Sequence, residues 1–437
     1  MKNTYLLAFA LTAAAAAAAM TSCGSNIKVS ENTSADTLSS VSDSSVPTEK
    51  ISETDTTSSE DTDTTSSEDT DNAETKQLSS STQETAFTER DLEQTADTSD
   101  AQSITVSDNQ TIDITAEGVY TISGSAENCT IRIDADDSAK IQLVLDGVEI
   151  ENEDFPAIYV VSADKVFITT TDTVNTLTVS GQFTADGENN TDAVIYSKDD
   201  LVLNGTGTLS ITSNNGNGVT CKDDMKITGG TYSVKSALDA FEANDTISVC
   251  DGTFSITTDK DGFHCENDEA EGSITISGGT FTISGASDGI QACALLQIDG
   301  GSFDITASEG LEATYVLIND GTINIYAADD GINAVSNTDA YETAIEINGG
   351  DITVEVGQGD TDAIDSNGSI YVNGGTINIT AQMSSFDYDK TAEFNGGTII
   401  INGTEVSEIP QSMMGGGMHG GMDGGMGGFG GGRGGRA

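Results

Sequence analysis

In 437 residues the chain has no tryptophan, three prolines, two histidines and 16 lysines plus arginines, against 72 aspartates plus glutamates. Each shortage excludes something. With a net charge of −56 the Lys/Arg footprint that phosphate recognition needs is absent, so nucleic acid is not an expected partner. Without tryptophan, the usual large aromatic platform for neutral sugars is missing. Two histidines do not furnish the common zinc ligand sets. No stretch beyond the N-terminal segment has the length and 3.6-residue period of a crossover helix, which excludes an α/β fold. What is abundant is turn chemistry: 48 glycines together with many Asp and Asn.

The two ends differ from the middle. Residues 1–22 carry Lys2, an apolar run from Leu6 to Ala19, then Met20-Thr21-Ser22 ahead of Cys23. The pattern resembles a bacterial lipoprotein signal. It implies cleavage before Cys23, lipidation of that thiol, and export to the outer face of a cell membrane, where two or more acyl chains give stable anchoring. A secretory signal with an incidental cysteine is the alternative. Residues 23–101 are Ser, Thr, Asp and Glu with few apolar side chains, and the octet at 54–61 repeats at 62–69. Such a segment buries too little surface to offset its chain entropy, so it is expected to be a disordered, charge-extended linker. Residues 410–437 form a Gly/Met-rich tail with His419, Arg433 and Arg436, expected to be an exposed, disordered terminus.

Between these ends, residues 102–409 repeat. One phrase returns as Asp261-Gly262-Phe263-His264-Cys265, Asp288-Gly289-Ile290-Gln291-Ala292, Glu309-Gly310-Leu311-Glu312-Ala313 and Asp330-Gly331-Ile332-Asn333-Ala334. A second alternates with it, for example Ile276-Ser277-Gly278-Gly279-Thr280-Phe281-Thr282-Ile283. Its second glycine falls at 230, 252, 279, 301, 321, 350, 375 and 397, with Asp251 and Asp320 in place of the first glycine in two copies, mostly 20 to 25 residues apart. After each glycine pair apolar and polar residues alternate, as in Thr376 to Ile379, the mark of short strands with one buried face. Interleaved phrases at a fixed period indicate a solenoid. The expected fold is all-β, a right-handed parallel β-helix of about 22 residues per coil, with roughly thirteen coils in a rod on the order of 60 Å long. A β-sandwich array is the runner-up. The calcium-binding nonapeptide solenoid is excluded, because its nine-residue Gly-Gly-x-Gly-x-Asp repeat is absent.

Stacking the coils turns the phrase into columns. One inward column reads Cys221, Ala240, Cys265, Ala292, Ala313, Ala334 and Ser366, which suits cysteines serving as small apolar fillers. Cys221 and Cys265, two coils apart, are too distant for a disulfide. An outward column reads Asp192, Asn217, Ser236, Asp261, Asp288, Glu309, Asp330 and Asp362, and three residues on a second reads Ile195, Thr220, Asp239, His264, Gln291, Glu312, Asn333 and Asp365. Asp259, Glu266 and Asp329 lie nearby, and Asp200, Asp224 and Asp245 mark another edge. Neighbouring carboxylates about 5 Å apart repel by about 1 kcal/mol in water and by more where water is excluded. Calcium relieves this with six to eight oxygen ligands in flexible geometry. The candidate ligands are Asp261, Asp288, Glu309, Glu312, Asp329, Asp330, Asn333, Asp362 and Asp365. The competing explanation is that Asp and Asn recur because they suit turns and cap the backbone.

Taken together, Leu143 to Ile150, Pro156-Ala157-Ile158-Tyr159, Ala193 to Gly207, Lys222-Asp223-Asp224, Asp261-Gly262-Phe263-His264 and Asp329 to Ala334 resemble a family of exported bacterial carbohydrate-binding proteins with a pectate-lyase-like parallel β-helix. The resemblance covers roughly 104–403. It implies calcium-dependent binding of plant cell-wall polysaccharide, especially acidic pectic chains, and a distant kinship with polysaccharide lyases; a monomer at the cell surface is expected. The sequence departs from the pattern at Ser236-Ala237-Leu238-Asp239, where the Asp-Gly pair is lost, which puts a metal ligand at that coil in doubt. Two other functions stay open. A lyase would use Lys260, beside Asp259 and Asp261, as base for β-elimination of uronic-acid chains. A structural surface adhesin would bind no sugar. Tyr232, Phe254, Phe281, Phe303 and Tyr326 fall on the apolar phase of their strands and are expected in the core.

Overall fold

The computed structural model describes residues 86–410 apart from 268–270 and 360, together with the backbone of a short strand, Val29–Glu31. The signal segment 1–22, Cys23, the tail from 411, and the linker up to residue 85 apart from that strand lie outside the described residues.

The alternation of the sequence becomes a coil with its apolar residues inside. In Thr253–Thr258 every second side chain is buried, with Phe254 and Ile256 pointing inward, and the strand pairs in parallel with Thr231–Ser236 on one side and Thr280–Ser284 on the other. The same rule, repeated, gives a β-solenoid of about 12 turns, its strands roughly 24 residues apart, with no helix among the described residues. The coil is longer than the 22-residue repeat because segments such as 266–272 and 335–343 bulge from it as loops. Each coil supplies three strands, and these stack into three rows. The first row runs from Gln110–Ile114 to Ser384–Tyr388 and contains the acidic phrase. The second includes Lys165–Thr170, Asp200–Gly205 and Met225–Ile227; the third includes Val174–Val179 and Thr253–Thr258. The last coil is closed by a hairpin in which Ile399–Ile401 pairs antiparallel with Thr404–Val406 through Asn402 and Gly403 at φ 51° and 78°. That fold-back covers a strand edge which would otherwise accept another chain.

Stacked side chains of like kind fill the interior. Phe254, Phe281 and Phe303 lie ring on ring, with 4.6 Å between successive centroids and planes within 4°. Tyr232, Phe254, Phe281 and Phe303 are core residues as expected, but Tyr326 points outward and is 48% exposed, because it occupies an odd position in Thr322–Ala327. The paired glycine before each stack is required by the backbone. Gly279 has φ 109°, and a Cβ there would sit 3.1 Å from the Phe281 ring and 3.2 Å from the Gly252 carbonyl. The five cysteines among the described residues are free, and Cys221 and Cys265 are buried two coils apart.

Residues 86–100, which composition assigns to the linker, lie against the solenoid and are turn-like rather than extended into a strand. Asp91 is wholly buried, and Gln94 spans to the second row, donating to the Thr228 carbonyl (2.9 Å) and accepting from the Gly205 amide (2.9 Å). This strap is a departure from the linker expected to run to residue 101. Its anchors are single polar residues, which carry no compositional signal.

Candidate functional site

The acidic phrase sits where each coil enters the first row. Parallel register places Asp288 opposite Glu309, Gln291 opposite Glu312, Asn333 opposite Glu312 and Asp365, and Glu242 opposite His264. The first position of the phrase therefore stacks Asn217, Asp239, Asp261, Asp288, Glu309, Asp330 and Asp362. The fourth stacks Thr220, Glu242, His264, Gln291, Glu312, Asn333, Asp365 and Asp387.

This corrects the sequence alignment in one coil. The alignment gives Ser236 and Asp239 to the two columns, which put a ligand there in doubt, but the register moves by three residues. Asp239 takes the first position, Ala240 the glycine place and Glu242 the fourth. The cause lies in the core, where Phe241 stacks on Phe263 with centroids 4.9 Å apart and planes within 9°. Leu238, which the sequence alignment would direct inward, is 38% exposed. The small inward column likewise has Ala243, not Ala240, between Cys221 and Cys265, and at the upper end Ala193 and Tyr196 replace Asp192 and Ile195.

Most of the short side chains in the first column give one oxygen to the fold. The Asp239 amide donates to Asn217 Oδ1 (2.9 Å), the Asp261 amide to Asp239 Oδ1 (3.1 Å), the Asp288 amide to Asp261 Oδ1 (2.9 Å) and the Asp362 amide to Asp330 Oδ1 (2.8 Å). Each such bond ties a coil to the next at the corner, where strand pairing is interrupted.

Along the stripe the electrostatics divide into two parts. In the upper part the protein brings its own cations. Lys260 Nζ lies 2.7 Å from Asp239 Oδ2 and 3.8 Å from Asp261 Oδ2, and His264 Nδ1 lies 3.3 Å from Asp239 Oδ2. Glu242 accepts from Asn217 and Thr220 (both 2.7 Å) and pairs with Lys222 at 3.2 Å. Burial raises the Asp239 pKa, but the hydrogen bonds from His264 and Lys260 outweigh it and the net shift is downward. Burial also opposes charge on Lys260 and His264, yet Asp239 holds both pKa values above their ordinary range. Burial raises the Asp261 pKa, with the Asp239 charge adding to it.

The lower part differs. Among the described residues no lysine, arginine or histidine pairs with Asp288, Glu309, Glu312 or Asp365. Burial, reinforced by Asp261 and Glu312, pushes Asp288 up to about 7. Burial and the facing Glu312 carboxyl push Glu309 up to about 8. Burial and the charges of Asp330, Asp362 and Asp387 push Asp365 up to about 7. Amides bridge the acids here: Gln291 Nε2 donates to Glu312 (2.7 Å), and Asn333 Nδ2 to Glu309 (2.8 Å) and Glu312 (3.2 Å). Asn333 Oδ1 is buried and accepts no hydrogen bond among the described residues. A set of carboxylates and one unused amide oxygen, delivered by neighbouring coils, is the donor chemistry of a hard divalent cation. Of the expected ligands, Asp261, Asp288, Glu309, Glu312, Asp330, Asn333, Asp362 and Asp365 share this stripe. Asp329 is exposed at the preceding turn. Asp239, Glu242 and Asp387 belong to the stripe and were not among the expected ligands; aligning on Phe241 rather than on the acid reveals the first two.

A second acidic group, Asp200, Asp223 and Asp224, has its ligand atoms within 4.8 Å of one another. Burial, then Asp200, Asp224 and Asp245, push Asp223 up to about 6. Here Lys165 partly compensates, 3.2 Å from Asp200.

The chain is 37% identical over 128 residues to a carbohydrate-binding domain-containing protein of Acetivibrio thermocellus, a match covering 29% of this chain and 45% of that relative. The chain thus spans less than half the length of the curated relative it matches. A solved structure described as a polysaccharide lyase-like protein from C. thermocellum is 24% identical, over 70% of this chain and 96% of that one, with a TM-score of 0.33. The model of one protein family matches residues 108–363 and 315–423. That is more than half of the chain, and the protein is accordingly a member of the family described as carbohydrate-binding domain-containing proteins.

Proposed function

We propose that this protein binds acidic polysaccharide, of the pectic type found in plant cell walls, through calcium ions held on the lower part of the stripe. Membership of a carbohydrate-binding family supports polysaccharide binding. The observation that carries the finer reading is the run Asp288, Glu309, Glu312 and Asp365, with carboxyls pushed up to about 7 or 8 and no cationic side chain paired to them among the described residues. A polyanionic rod repels a polyuronate. Bound divalent cations reverse the local sign and leave coordination positions for the sugar carboxylate. In this reading Cys23 carries the lipid, residues beyond it form a stalk, and the solenoid stands as a monomer at the outer face of a cell membrane.

Lyase chemistry is the weaker reading on one specific ground. Lys260, its candidate base, is engaged by Asp239 at 2.7 Å and its pKa is raised, so the protonated form is favoured over the form that abstracts a proton. The test is calorimetry with calcium and then with a galacturonate oligomer, repeated in excess EDTA. Calcium binding followed by calcium-dependent sugar binding is expected. Undiminished affinity in EDTA overturns the calcium bridge, and absence of sugar binding at millimolar calcium leaves the adhesin reading instead.

A further inference from the structure

Beneath the strap, on a different row from the stripe, four coils present a flat outward platform. Register aligns Gln142, Phe167, Val202 and Lys226 in one column, with Val144, Thr169 and Asn204 beside it. An outward phenylalanine and an outward valine are anomalous on this rod, whose other outward positions are mostly polar. Phe167 and Val202 are nevertheless no more than 1% exposed, and the strap lies against this row, over Phe167 and beside Asn204 and Gly205. The strap's contacts are particular. Arg90 sits over the Phe167 ring at 4.4 Å, and the Asp91 carbonyl accepts from Thr228 Oγ1 (2.5 Å) and Asn204 Nδ2 (3.4 Å). The Asp91 carboxylate enters between two lysines, Lys165 at 3.8 Å and Lys226 at 3.7 Å. Lys165 also pairs with Asp200.

The fit of that carboxylate is loose. Asp91 Oδ2 accepts from the Thr88 amide (2.9 Å), but Oδ1 is fully buried with no hydrogen bond, and both lysines stop beyond hydrogen-bond length. A buried charge held by ion pairs this long recovers little of its desolvation cost. An aromatic floor, two convergent ammonium groups and a surround of amide and hydroxyl side chains are the parts that recognise a carboxylated sugar ring. We propose that the platform formed by Phe167, Lys165, Lys226, Asn204 and Thr228 is a second glycan-binding site, one that takes the carboxylate of a uronic-acid residue without a metal, and that Asp91 on the strap is its built-in occupant. This rests on the reading of the protein as a binder of acidic polysaccharide, and places a metal-independent, strap-gated site beside the metal-linked one. The strap adds no strand to the solenoid, so it can leave the platform without disturbing a sheet.

The test uses a galacturonate oligomer in excess EDTA, which silences the stripe, and full-length proteins. Asp91→Ala is expected to bind at least about tenfold more tightly than the wild type, since a closed strap lowers apparent affinity by the fraction of time it is open. Adding Lys226→Met to Asp91→Ala is expected to remove the gain. No gain from Asp91→Ala, or a gain that survives Lys226→Met, overturns the proposal. If circular dichroism shows Asp91→Ala to be unfolded, Gln94→Ala carries the same comparison: it loosens the strap and leaves both lysines in place, and no gain there is equally fatal. A neutral glucose oligomer must gain nothing; an equal gain overturns the carboxylate assignment. The wild type with calcium is the separate arm. Calcium-dependent binding without the EDTA-resistant gain sinks the platform alone, and the reverse result sinks the stripe alone.

Discussion

Raising the pH should weaken the calcium-free protein, and calcium should reverse the trend. The carboxyls of Asp288, Glu309 and Asp365 start from ordinary values of 3.8, 4.5 and 3.8 and stand at about 7, 8 and 7 in the fold. Their folded pKa values are raised, so the stabilisation they give is fully present below pH 4 and is lost as the pH climbs through 7 to 8. In between, the native state holds protons that the unfolded chain has released, and each such proton costs about 1.4 kcal/mol of stability per pH unit. From pH 5 to 7, one proton amounts to roughly 3 kcal/mol; three independent protons would give roughly 8, an upper bound because Asp288 and Glu309 are neighbours. At about 2 cal/mol/K per residue over roughly 300 residues, the melting midpoint in EDTA should fall by between about 5 and 13 °C. In saturating calcium the midpoint should rise over the same range, because the cation binds only the deprotonated acids. Apparent calcium affinity should therefore increase about tenfold per pH unit for each proton displaced. Thermal melts at pH 5, 6 and 7, with and without EDTA, read the first effect. Calorimetry in buffers of different ionisation enthalpy counts the protons. A midpoint in EDTA that does not fall, or calcium binding that releases no proton, refutes this account of the stripe.

Other substitutions separate charge from shape. Glu309→Gln removes the facing acid pair, so the calcium-free protein should gain about 1 kcal/mol or more at pH 7.5 while calcium affinity drops, measurable by denaturant melts and calorimetry. Asp239→Asn removes the shortest ion-pair contact of both Lys260 and His264, leaving them only Asp261 and Glu266 at 3.5 to 4.0 Å, and should cost about 3 kcal/mol by urea titration. Asp330→Asn keeps an oxygen for the Asp362 amide and Asp330→Ala does not; in EDTA the alanine variant should melt lower, the gap corresponding to about 1–3 kcal/mol, and equal midpoints would show that the cap is dispensable. Burial pushes the Cys265 thiol up to about 12 and also raises Cys221, so neither should react with a thiol reagent until the coil is unfolded.

The coil was legible because its rules are local. A period-two alternation, a glycine pair with positive φ and an apolar filler every coil can all be read from neighbouring residues, and they lead directly to the parallel rows observed. Register in the coil at Asp239 was not, since it is set by Phe241 stacking on Phe263 while the acid and glycine that mark the other coils are displaced or replaced. The strap was illegible for a further reason. Thr228 is 137 residues from Asp91, which accepts from it, and 134 from Gln94, and neither partner belongs to a repeat. Tyr326 shows the limit of reading aromatics as core: grouped with the others on the apolar phase of its strand, it is in fact the fifth residue of Thr322–Ala327, an outward position.

The first column bears on whether the acids belong to the fold or to chemistry, because the chain contains its own control. Asn217 occupies that column and its Oδ1 accepts the Asp239 amide at 2.9 Å, as Asp239, Asp261 and Asp330 accept the next coil's amide at 3.1, 2.9 and 2.8 Å. A neutral amide oxygen therefore meets the structural requirement. The fold asks for a short side chain with an acceptor, not for a negative charge, and cap preferences alone account for Asp and Asn interchangeably. They do not account for Glu309, whose longer side chain reaches Glu312 and Asn333 instead, nor for acids at the fourth position, where Thr220 and Gln291 show that a neutral residue is accommodated. Charge accumulates along the lower stripe at a cost that the raised carboxyls of Asp288, Glu309 and Asp365 record. Placing charge where the coil needs none destabilises the isolated protein and is offset only when something positive binds.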